Sequence, residues 1–179
     1  MVCRIIQQHK LILSSVLFIL WIVSVSAALF HLSFTNYGEF DPEFKWLGLH
    51  DSINGQQLTL PPSSGLQLVH VLDPSCSCSA LAEQHIATLN QQLALDNNQH
   101  FYRTAAEVDA AGLPIPALPA VLVFKAGRLL YAGPYASGPQ CSAADSFLPA
   151  LLRGELQIPA TWLNGETKAC RCLQQQQTP

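Results

Sequence analysis

Charge is the scarcest thing in this sequence. Only 12% of its 179 residues are Asp, Glu, Lys or Arg, and the formal net charge is -3. No basic field is present that would hold a phosphate backbone, so nucleic-acid partners are excluded. There is no acidic tail, no heptad run and no internal repeat of about 20–50 residues, which sets aside coiled coils and solenoids. Several chemistries lack their motifs. The chain has no glycine-rich phosphate loop, no Gly-x-Ser-x-Gly, no His-Glu-x-x-His and no Cys-x-x-Cys-His haem attachment. No cofactor is expected.

Apolar residues are plentiful by contrast, at 49%, and the first thirty positions inflate that figure. Leu11 to Phe30 carries no formal charge. As a helix it would span roughly 30 Å, one hydrocarbon core. Arg4 and Lys10 precede it, and Glu39, Asp41 and Glu43 follow. The positive flank stays in the cytoplasm, which puts the rest of the chain outside. Val25-Ser26-Ala27 before Ala28 also has the small-residue pattern of a signal cleavage site, but the apolar run is longer than a usual signal core. Anchor or signal, the folded part lies in an oxidising compartment. The expectation is a single-pass protein of a bacterial inner membrane, facing the periplasm.

Residues 31–65 read as a linker and lead-in rich in aromatics, with a short strand at Gln56 to Leu60 and a Pro61-Pro62 loop. Leu66 to Asp73 is an apolar, β-branched strand. Pro74 to Cys78 breaks it. A helix from Ser79 to Leu95 follows, with Leu81, Ala82, Ile86, Leu89 and Leu93 on one face. Phe101 to Thr104 fits a strand and Ala105 to Ala111 a short helix. Leu113 to Pro119 holds three prolines and is expected to be irregular. Ala120 to Lys125 and Arg128 to Ala132 form a hairpin about Ala126-Gly127. Ser142 starts a last helix, delayed or kinked by Pro149 and ended by Gly154. A tail from 156 to 179 carries Cys170 and Cys172 and ends in the polar run Gln174 to Gln177. The order is that of a mixed α/β domain with helices on the faces of a sheet.

Cysteines between a buried strand and a helix start are well placed for chemistry. Backbone N–H groups and the helix dipole favour a thiolate there, and the thiolate attacks disulfides. Cys76 and Cys78 occupy that position, with Ser77 or Ser79 available as a cap. Cys76 with Ser79 also makes a Cys-x-x-Ser pattern. Leaving out Cys3, five cysteines face the oxidising side, an odd number that leaves one unpaired. Three arrangements stand open. Cys141 bridges to Cys170 or Cys172, with Cys76 and Cys78 as a redox pair. Or Cys170 and Cys172 relay a disulfide to Cys76 and Cys78. Or Cys76 and Cys78 are stapled to partners elsewhere. Two Cys-x-Cys pairs also suit a soft cation such as Cu(I) or Zn(II), though not at the usual zinc spacing. His70, on the strand before Cys76, is the one histidine placed to join such a site; His50, His85 and His100 show no mutual spacing.

Leu118-Pro119-Ala120-Val121-Leu122-Val123-Phe124-Lys125-Ala126-Gly127-Arg128-Leu129 resembles a segment of the thioredoxin superfamily. With the strand, cysteines and helix upstream, the resemblance covers roughly residues 66 to 153. The family's Trp-Cys-Gly-Pro-Cys is replaced by Ser75-Cys76-Ser77-Cys78. Anchor plus domain is similar to membrane-anchored thioredoxin-like proteins of proteobacteria. The resemblance implies a thioredoxin-like mixed sheet with helices on its faces at 66–155, preceded by a transmembrane helix within 1–30. It implies that Pro119 is cis and lies against the cysteines, presenting backbone to substrate. The expected activity is thiol–disulfide exchange on extracytoplasmic protein thiols or disulfides, with Cys76 as nucleophile and Cys78 as resolving thiol. A soft-metal carrier and a non-catalytic binding module are the alternatives.

Overall fold

The computed structural model describes residues 2–49, 53–93, 95–158 and 160–174. His50 and all but the first residue of the glutamine run lie outside them. The chain divides into two compact units, Met1–Thr35 and Asn36–Pro179.

The first unit is one helix, α1 (Val2–Phe34), longer at both ends than the apolar run alone predicts. Its stretch Ile12–His31 has a mean hydropathy of 2.4 and is unburied, with Leu13, Phe18 and Trp21 all exposed. By length and composition it can cross a membrane, and a signal sequence passes the same test. The Thr35 hydroxyl donates to His31 O at 2.6 Å and closes the last turn, four residues beyond the expected boundary at Phe30.

The second unit begins with β1 (Tyr37–Glu39) and continues with β2 (Leu66–Val71), α2 (Ser77–Leu93), β3 (His100–Arg103) and α3 (Ala105–Ala110). Then come β4 (Ala117–Leu118), β5 (Ala120–Lys125), β6 (Arg128–Gly133), α4 (Leu148–Leu152), β7 (Trp162–Leu163), β8 (Lys168–Cys170) and β9 (Cys172–Leu173). The main sheet has the order β3-β2-β5-β6-β7. β2 runs parallel to β3 and antiparallel to β5; β6 is antiparallel to β5 and parallel to β7. Two smaller ladders join β1 to β8 and β4 to β9.

The sheet is buried on both faces, which is why β5 reads as an unbroken apolar run rather than an alternating one. Leu68, Val121 and Val123 point to one face, where Ala82, Ile86 and Leu89 of α2 and Leu148, Leu151 and Leu152 of α4 cover them. Val69, Val71, Leu122 and Phe124 point to the other. There Val108 of α3 packs together with Phe40, Trp46, Ile53, Leu58 and Leu60 of the lead-in. Phe40, Trp46, Ile53, Leu58 and Leu60, from the stretch expected to be a linker and lead-in, are therefore part of the domain's core. The C-terminal segment is likewise built in, through β7, β8 and β9.

Three local expectations need correction. Gln56 to Leu60 is not a strand. The Asn54 side chain accepts from Gln57 N and the Gln57 side chain accepts from Asn54 N, a capping box that winds Gly55–Leu58 into a 3-10 turn. The proline-rich stretch is not wholly irregular. Its last two residues before Pro119 form β4, because Pro116 and Pro119 flank Ala117 and Leu118 without removing their N–H groups. Ser142 caps only a 3-10 turn, Ala143–Asp145, and α4 starts later, with Phe147 at its cap and Pro149 in its first turn. Gly154 closes α4 at φ +74°.

Candidate functional site

The site is assembled where β2 gives way to α2. The Asp73 carboxylate turns the chain by accepting from both Ser75 N (2.8 Å) and Ser75 Oγ (2.7 Å), and these bonds hold its pKa below the usual carboxylate value. Cys76 N donates to Asp73 O, and Ser79 N donates to Cys76 O. Neither nearby serine serves as the helix cap that the sequence suggests. Ser77 Oγ accepts from Asn36 Nδ2 at 2.9 Å, tying the lead-in to the helix start. Ser79 Oγ accepts from Asp73 N at 3.1 Å.

Cys76 bonds to Cys172 and Cys78 to Cys170, with Cα–Cα separations of 5.9 and 5.7 Å. A Cys76–Cys78 redox pair is thus not formed, and neither is a bridge from Cys141. The reason lies in the backbone. Residues two apart on a helix do not face each other, whereas residues two apart on an extended chain lie on one side. Cys170 and Cys172 flank Arg171 at the junction of β8 and β9, and so present both sulfurs to the helix start together. The sulfurs of Cys76, Cys78 and Cys172 all lie within 4.8 Å of one another. Cys76 and Cys78 are buried, at 4% and 0% exposure, while Cys170 and Cys172 are half-buried.

The Leu118–Pro119 peptide bond is cis, in agreement with what the resemblance implies. It adjoins the site directly: Cys76 Sγ lies 3.5 Å from Leu118 O, and Leu118 is paired with Cys172 across the β4–β9 ladder. Arg171 is the residue that spacing alone did not single out. Its N–H donates to Asn36 O at 2.6 Å, and its guanidinium packs on Gly38, where a side chain would collide with it. Burial lowers its pKa, against the opposing pull of Glu39.

Residues 49–174 match the family described as a domain of unknown function (DUF6436). The chain belongs to that family. The matched stretch takes in all four bridged cysteines, Cys141 and the whole main sheet, and it stops short of α1. No curated protein and no solved structure matches the chain.

The remaining candidates lie in the core. His70 is fully buried, with Nδ1 bonded to Tyr135 OH at 2.7 Å and Nε2 to His100 Nδ1 at 2.8 Å. Burial, and then the neighbouring His100, pushes its pKa down to about 3. Both ring nitrogens are engaged, so His70 is a neutral core histidine and not a free ligand. Among the described residues Cys141 is the free thiol, buried against the α2–α4 face. Its carbonyl accepts from His85 Nδ1, and burial pushes its thiol up to about 12. That thiol is therefore protonated and unreactive near neutral pH.

Proposed function

We propose that this protein is a membrane-anchored, extracytoplasmic thioredoxin-like protein that carries out thiol–disulfide exchange through Cys76. The observation that carries the reading is the Cys76–Cys172 bond at the start of α2, opposite Leu118 and its cis bond to Pro119. The sheet order β3-β2-β5-β6, with α2 and α4 on one face and α3 on the other, supports the same reading. Two disulfides in one site support an oxidising compartment. The apolar α1 supports an inner-membrane anchor with the domain in the periplasm. Cys76, freed from Cys172, is the thiol favoured as thiolate by the N-terminus of a 17-residue helix. Cys78 and Cys172 both stand close enough to resolve a mixed disulfide on it. The Leu118 carbonyl, next to Pro119, lies 3.5 Å from the Cys76 sulfur.

The test is insulin reduction and scrambled-ribonuclease refolding by the full chain in mild detergent. Activity lost in Cys76→Ser is expected. No activity in either assay, with bridges that survive mild reductant, would leave a non-catalytic module in which the cysteines only staple the C-terminal segment.

A soft-cation reading has one specific observation behind it: three sulfurs within 4.8 Å. A tetrahedral zinc thiolate centre needs sulfurs about 3.8 Å apart, so the reduced cluster would need little rearrangement. Anaerobic titration of the reduced chain with Cu(I) decides it, and absence of a stoichiometric complex removes it.

A further inference from the structure

Residues 170–173 do two things at once. Cys170 and Cys172 bond to the cysteines at the start of α2, and the backbone of β9 pairs antiparallel with β4. Cys172 sits opposite Leu118 and Leu173 opposite Ala117. Gln174 N donates to Pro116 O at 2.9 Å and extends the pairing by one residue. β4 stands outside the main sheet, and among the described residues β9 is its strand partner. Without β9, Ala117 and Leu118 would offer an unpaired backbone edge beside Cys76.

We propose that residues 170–173 are the resident occupant of a strand-docking site, and that the partner which replaces them is an extended polypeptide segment carrying a cysteine opposite Leu118. This rests on the thiol-exchange reading above. The resident strand also decides which sulfur reacts first. Cys76 is 4% exposed and Cys172 is half-buried. An incoming thiolate from a partner dithiol therefore attacks Cys172 Sγ. A partner–Cys172 disulfide forms, the Cys76–Cys172 bond breaks, and its electron pair leaves on Cys76 as a thiolate beside the helix N-terminus. The partner's second thiol loses its proton and attacks the partner sulfur of that mixed disulfide. Cys172 departs as a thiolate and takes up a proton. The partner is oxidised by two electrons and the bridge is reduced by two. The same exchange at Cys78–Cys170 frees the strand, and a partner segment can then pair with β4.

The probe is a peptide of the chain's own residues 168–174 with its Cys170 position changed to serine and its remaining cysteine activated as an aryl disulfide. The acceptor is the full chain carrying Cys78→Ala, Cys170→Ala and Cys172→Ala, its fold checked by protection of the β5 amides from hydrogen exchange. Backbone pairing should make this peptide join Cys76 at least about tenfold faster than a scrambled peptide with the same leaving group. Equal rates would overturn the docking site and leave the exchange reading standing. Failure of Cys76 to react with either peptide would overturn both. A second measurement uses the parent chain and needs no substitution. Full reduction should speed hydrogen exchange at the Gln174 amide while β5 stays protected; retained protection at Gln174 would refute release of the strand. Brief exposure to glutathione, acid quenching and mapping should find the first adduct on Cys172. An adduct on Cys76 would refute the order of attack.

Discussion

Replacing Cys76 and Cys172 together by alanine removes one of two bridges that close almost the same loop. The bonded residues are 96 positions apart in one bridge and 92 in the other. An isolated bridge across a loop of that length should stabilise the fold by about 4.7 kcal/mol through the entropy of the unfolded chain. Here the neighbouring bridge already holds the loop closed. The second then closes a ring of only about five residues, which the same relation puts at about 2 kcal/mol. Each alanine pair variant should therefore lose about 2 kcal/mol, and the variant lacking all four cysteines about 7 kcal/mol. The larger loss is a large part of the whole stability of a domain, about 5–15 kcal/mol, so the quadruple variant should stay folded in buffer but with a much lower denaturant midpoint. Alanine is preferred to serine because Cys78 is fully buried and a hydroxyl there would lack a partner. Denaturant unfolding of the full chain in mild detergent, under non-reducing conditions, measures all three. Pair variants that each lose as much as an isolated bridge would show that the bridges act independently, and the shared-loop reasoning would fail.

Other outcomes follow from the core. The folded pKa of His70 is about 3, below its ordinary value of 6.5, so the unfolded chain binds the extra proton between those limits. Stability from His70 is full above pH 6.5 and falls with decreasing pH by about 1.4 kcal/mol per unit until about pH 3. Denaturant midpoints across that range should show the slope, and His70→Gln should flatten it. Cys141 should resist alkylation in the native chain at pH 8 and react once denaturant is added, because its thiol is buried and pushed to about 12; rapid native labelling would contradict its placement. A side chain at Gly133 would meet the Tyr131 ring and the Asn164 Cβ, so Gly133→Ala should cost about 1–3 kcal/mol in thermal or denaturant unfolding.

The strands and helices of the main sheet were legible because each sits between layers that demand a pattern. β5 reads as a continuous apolar run since both its faces are covered, and α2 shows its 3.6-residue stripe since one face packs on the sheet. The stripe missed Cys78, Ser79 and His85, which are also buried, because these small or polar side chains are held by bonds rather than by hydrophobicity. The ends of the domain were harder. Phe40, Trp46 and Leu58 belong to the core through contacts distant in sequence, so no local period marks them. The pairing of β4 with β9 had no signal in either segment taken alone. Two residues flanked by prolines do not read as a strand, and neither does Cys172-Leu173. The echo between Cys76-Ser77-Cys78 and Cys170-Arg171-Cys172 was the one trace of it in the sequence.

That echo has a physical meaning. Two-residue spacing is the period of an extended chain, not of a helix. Cysteines at i and i+3 at a helix start share a face and can close on each other. Shortened by one residue, they diverge, and each becomes available to a different sulfur on another element. An extended segment with the same spacing meets both at once, provided that it lies across the helix start. β8 and β9 are held there from two sides. β8 pairs with β1, Arg171 N donates to Asn36 O, and β9 pairs with β4. The lead-in therefore fixes one side of the hook and the Leu118–Pro119 edge fixes the other. Insertion of one residue at Arg171 would break this match. It would carry Cys172 to the opposite face and leave Cys76 unbridged, while Cys170 could still reach Cys78. A disulfide map of such a variant should retain Cys78–Cys170 and lose Cys76–Cys172. Retention of both bridges would mean that the hook is pliable and that the spacing is incidental.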